Sequence, residues 1–125
     1  MEISNIMKHS FVTVNEDDTI AKALRIITRE RVNGAPVVNS ENDLMGMIVK
    51  ADLYRFLVEE GHYDTYPVNA VMAKRVITAR PDEDLLEVTE KLRQNDIMAA
   101  PVVQNRKVVG VISLEDIVDY FLNVK

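Results

Sequence analysis

The chain has 125 residues, enough for one small domain or two half-size units sharing a core, and folding at that length buries roughly two-thirds of the unfolded surface. Its 47% hydrophobic and 28% charged residues are those of an ordinary globular protein, and the lack of cysteine excludes disulfides, thiolate nucleophiles and thiolate metal sites. The net charge of −5, with acidic clusters at Glu16–Asp18 and Asp82–Asp84 and no basic stripe, argues against nucleic acid as the main partner.

The opening MEISNIMKHS lacks the apolar stretch of a signal peptide, and no run approaches the about 18 apolar residues of a membrane helix. A cytoplasmic chain without a membrane partner is expected. SFVTVN then reads as a short β-branched strand. A helix follows, with Ile20, Ala23, Leu24 and Ile27 at helical spacing and Asp18 or Thr19 as its cap. GAPVV and LMGMIV form two strands around a polar turn, and ADLYRFLVEE forms a helix with Leu53, Phe56 and Leu57 inward.

After EEGHYDTYPVN the series begins again. RVITAR is the strand, and a helix carries Leu85, Val88 and Leu92 inward with Asp82 as its cap. AAPVVQ and VVGVIS turn at NRK, and LEDIVDYFLNV closes the chain with Ile117, Val118, Phe121 and Leu122 inward. The chain is therefore a repeat. GAPVVN from Gly34 returns as AAPVVQ from Ala99, and GMIVKADL from Gly46 returns as GVISLEDI from Gly110, at offsets of 65 and 64 residues. Met7 and Thr13 likewise face Met72 and Thr78. The expected units are residues 1–60, a linker at 61–70, and residues 71–125. Each is β-α-β-β-α, giving an α/β fold of the α+β type. One copy exposes an apolar sheet face it cannot cover, so the copies are expected to pack sheet to sheet with pseudo-twofold symmetry.

Ordered PVV segments, each followed by Gly-apolar-apolar-x-x-x-Asp, resemble a tandem pair of CBS domains over nearly the whole chain. The resemblance implies a regulatory module without catalysis, a homodimer, an effector protein as partner, and an adenosyl ligand held in a cleft between the repeats. AMP, ADP, ATP and S-adenosylmethionine are the ligand classes it implies, none of them a required cofactor. By the same resemblance Ser113 and Asp116 hold ribose and phosphate, while Ile112, Val32, Asn33 and Gly34 line the base. A weaker counterpart would use Asp52, Met98 and Ala99, because Val49 stands where the family places Thr or Ser.

Elementary chemistry supports two roles for GVISLED. A carboxylate accepts both hydroxyls of a ribose, and a serine hydroxyl donates to a ribose or phosphate oxygen. Ser-x-x-Asp is also nearly a capping box, in which the two side chains serve only the helix. Met98 and Ala99, or Asn33 and Gly34, stand where nucleotide-binding members often carry a basic residue, which argues against tight ATP binding. His9 and His62 have no partner at metal-ligand spacing, and there is neither a Walker motif nor a nucleophile elbow. The alternative to a ligand sensor is a dimerisation or protein-interaction module with a vestigial cleft.

Overall fold

The computed structural model describes residues 1–123. The chain forms two compact units, one continuous (Val12–Val76) and one split (Met1–Phe11 with Ile77–Lys125). Helices and strands are mixed in both, an α+β fold.

In the continuous unit, β1 (Val14–Asn15) runs parallel to β2 (Gly34–Val38), which pairs antiparallel with β3 (Leu44–Val49). Helix α1 (Ile20–Arg29) begins at Thr19, whose Oγ1 accepts the Lys22 N–H at 3.1 Å, and it buries Ile20, Ala23 and Ile27. Helix α2 (Lys50–Leu57) buries Leu53. The segment that follows returns to the start of α1. Ile20 N–H donates to the Tyr66 carbonyl (2.9 Å) and Ala21 N–H to that of Asp64 (3.0 Å), satisfying two amides that no helix can satisfy within itself. A 3-10 turn at Val68–Ala70 then places Val68 and Met72 in this unit's core.

The split unit repeats the plan. Helix α3 (Leu85–Gln94), strands β4 (Ala99–Gln104) and β5 (Lys107–Ser113), and helix α4 (Leu114–Asn123) follow in order. Here the chain's first residues take the part of the linker. Leu85 N–H donates to the Met1 carbonyl (2.8 Å), and Ile3 and Met7 join a core with Leu85, Val88, Leu92, Ala100, Val102, Ile112 and Ile117. Each unit is thus completed by the segment that precedes the other repeat in sequence.

Those crossing segments account for the glycine of each Gly-apolar-apolar motif. Ala73 exchanges two backbone bonds with Met47 (both 2.9 Å), and Lys8 does the same with Val111 (2.9 and 3.0 Å). A Cβ on Gly46 would sit 2.6 Å from the Ala73 carbonyl oxygen, and one on Gly110 would sit 2.9 Å from that of Lys8. Both hairpins also carry a register shift, between Val37 and Val38 and between Val102 and Val103.

Three expectations are corrected. The leading strands shrink: SFVTVN pairs only at Val14–Asn15, and RVITAR only through a single parallel bridge from Ala79 to Val102. The chain changes unit at Phe11/Val12 and again at Val76/Ile77, which interrupts any longer ladder. The cap of α3 is Asp84, whose Oδ2 accepts the Leu86 N–H (3.1 Å), whereas Asp82 pairs with Arg80. On α4 only Ile117 is buried; Val118, Phe121 and Leu122 remain exposed. That helix is apolar over more than one stripe, and its own unit covers only the stripe centred on Ile117.

Candidate functional site

The end of β5 and the start of α4 bring Ser113 and Asp116 together. Asp116 N–H donates to Ser113 Oγ (3.0 Å), and Ser113 N–H donates to Asp116 Oδ2 (3.2 Å). This is a closed capping box, satisfying two amides at once. The box leaves chemistry to spare. The Ser113 hydroxyl accepts in it, so its proton is still available for donation. Asp116 Oδ1 takes no part and faces the Lys8 ammonium at 3.6 Å; the carboxylate side chain is 9% exposed and that of Lys8 61%. An acceptor oxygen, a hydroxyl donor and an exposed cation therefore share one place.

Ala99 lies directly across the ladder from Ser113, and the Met98 carbonyl accepts the Leu114 N–H at 2.9 Å. Met98 itself is 71% exposed, so its thioether is free to pack on a planar ring. Ser113, Asp116, Met98 and Ala99 are thus neighbours in the split unit. Ile112 is not a lining residue: it is 0% exposed within the core and offers no surface. Strand alternation explains this, since Ile112 and Ser113 point to opposite faces of β5.

Val32, Asn33, Gly34 and Asp52 gather at the corresponding place in the continuous unit. Gly34 lies across the ladder from Val49, and the Asn33 carbonyl accepts the Lys50 N–H at 2.7 Å. Asn33 is exposed, while Val32 packs half-buried against the core. Gly34 has a structural reason of its own, because a Cβ there would lie 2.6 Å from the Ile48 carbonyl oxygen. Val49 leaves α2 without a side-chain cap. Asp52, freed from capping, turns to Arg55 one turn on (2.7 Å) and is 39% exposed. The same fold therefore presents a polar box in one unit and an apolar cap in the other.

Lys8 is the residue that the sequence left unmarked. Its counterpart across the repeat is Ala73, and that difference was the available signal. Among the described residues no cluster of three or more His, Cys, Asp or Glu is arranged to hold a metal ion. No helix among them is long and apolar enough to cross a membrane.

Comparison with known proteins bears on the family and the fold. The CBS domain family model matches residues 3–59 and 68–123. A homoserine O-acetyltransferase of Methanococcus vannielii is 35% identical over 116 residues, which are 92% of this chain but 24% of that enzyme. The chain spans about a quarter of the length of this and similar curated relatives. Among solved structures, the CBS domain pair of protein MJ0100, in complex with 5′-methylthioadenosine and S-adenosyl-L-methionine, has a TM-score of 0.87 and 28% identity, covering 100% of this chain and 98% of that one. CBSX2 in complex with AMP shares the fold, with a TM-score of 0.88 at 20% identity over 98% and 97% of the two chains.

Proposed function

The chain belongs to the CBS domain family, as two domains in tandem, and from that premise we propose that it is a regulatory module whose signal is an adenosyl ligand. The observation that carries the reading is the match, end to end on both chains, to a CBS pair solved with 5′-methylthioadenosine and S-adenosyl-L-methionine. Ser113 and Asp116 would hold the ribose and its 5′ substituent, with Met98 against the base. The split unit would carry the stronger site. In the continuous unit Asp52 is engaged by Arg55 and Val49 offers no hydroxyl, so a site there, at Val32, Asn33 and Gly34, would offer shape and little hydrogen bonding.

The enzyme names among the relatives belong to chains about four times longer, and the activity of those chains is not carried over. Output would pass to an effector protein or a second copy, by a ligand-dependent change no larger than the ligand's differential affinity for the two states. Calorimetric titration with AMP, adenosine, 5′-methylthioadenosine and S-adenosylmethionine tests the reading. At least one should bind saturably, and Asp116→Ala should abolish binding while the protein stays folded. Equal binding by wild type and Asp116→Ala would remove these residues from the site.

A further inference from the structure

We propose that Lys8 is the residue by which the split unit distinguishes a 5′-phosphorylated nucleoside from an uncharged one; the inference rests on the Ser113–Asp116 reading above. Four observations lead to it. First, the Lys8 backbone is clamped to Val111 from both sides, which fixes the root of the side chain beside the box while leaving the side chain 61% exposed. Second, its ammonium stands 3.6 Å from Asp116 Oδ1, beyond the about 2.7–2.9 Å of a charge-assisted hydrogen bond. The pair is loose, and a ribose hydroxyl donating to Oδ1 would displace it readily.

Third, the Asp116 carboxylate is nine-tenths buried and would repel a phosphate placed on the neighbouring 5′ carbon. A flexible ammonium rooted at that place offsets the repulsion by turning from Oδ1 to the incoming oxyanion. A neutral 5′ group gains nothing from that turn, and a cationic sulfonium is disfavoured by it. Fourth, the continuous unit lacks the device. Ala73 is clamped to Met47 by the same two bonds but carries no charge, and Asp52 is already taken by Arg55. Charge discrimination therefore belongs to one unit only.

The test compares AMP with 5′-methylthioadenosine by calorimetry on the whole chain, in wild type, Lys8→Met, Lys8→Arg and Asp116→Ala. Lys8→Met keeps the backbone clamp and side-chain length. It should weaken AMP by about tenfold and leave 5′-methylthioadenosine within about twofold, whereas Lys8→Arg keeps the preference. Added salt should erode the AMP preference of wild type and leave Lys8→Met unchanged. Equal weakening of both nucleosides, or none of either, would overturn the role of Lys8 while Asp116→Ala still reports on the site. Wild type binding neither nucleoside would overturn the role of Lys8, and would overturn the site as well if adenosine and S-adenosylmethionine also fail to bind.

Discussion

Ser113 and Val49 occupy equivalent places, and one hydroxyl separates their consequences. The serine accepts the Asp116 N–H, while the valine leaves its helix uncapped and releases Asp52 to Arg55. Ser113→Ala should cost about 1 kcal/mol, and Val49→Ser should gain somewhat less, since the Val49 backbone is already extended as a cap requires. Chemical denaturation of both variants checks the pair; a stabilising Ser113→Ala would contradict the box. Glu83 offers a second residue-scale test. Burial pushes its carboxyl up, but hydrogen bonds from Lys91 Nζ (3.0 Å) and the Arg80 N–H (2.9 Å), with the charges of both residues, outweigh burial and hold it below the ordinary value. A folded-state value below the unfolded one means stability that is fully present above the unfolded value of about 4.3 and is lost as pH falls through the folded value. Glu83→Gln should therefore destabilise by about 1–2 kcal/mol at neutral pH, with the gap to wild type closing below about pH 4. A gap independent of pH would contradict the ion pair. Ser113 and Asp116 were legible in the sequence because four consecutive residues at one helix start hold both. Lys8 was not, because only the fold brings the first segment to the last hairpin.

At the scale of elements, the glycine of each motif answers to a crossing segment. Gly110→Ala would set a Cβ against the Lys8 carbonyl oxygen, where backbone must move, and about 1–3 kcal/mol of stability should be lost. The loss should come with faster hydrogen exchange at the Lys8 and Val111 amides, which bridge that contact. Unaltered exchange there would place the strain elsewhere. Helix and hairpin positions were legible, since apolar spacing and the PVV runs are local signals. The leading strands were not: Phe11, Val12 and Thr13 have strand composition, yet the chain leaves one unit for the other among them. Nor could spacing tell which part of the apolar surface of α4 is covered. Leu114, Ile117 and Tyr120 pack on the core, and Val118 and Leu122 do not.

For the whole molecule, the repeat found in sequence and the compact units found in structure are different divisions of one chain. The family match covers residues 3–59 and 68–123, while the continuous unit runs from Val12 to Val76. Because each unit borrows the segment ahead of the other repeat, neither repeat alone contains a complete core. Exposed apolar residues, Tyr54 on α2, Val58 just beyond its end, and Val118 and Leu122 on α4, would suit contact with a second copy of the chain. Val118→Glu with Leu122→Glu should yield a folded monomer in sedimentation if α4 forms that contact; a dimer persisting in the variant would place the contact elsewhere. The central claim, that the Ser113–Asp116 box faces an adenosyl ligand, is tested most directly by backbone amide NMR during titration with AMP and with S-adenosylmethionine. The account predicts saturable shifts at Met98, Ala99 and Ser113 to Asp116 at lower ligand concentration than any at Val49 to Asp52. Spectra unchanged at millimolar concentrations of both ligands would contradict it.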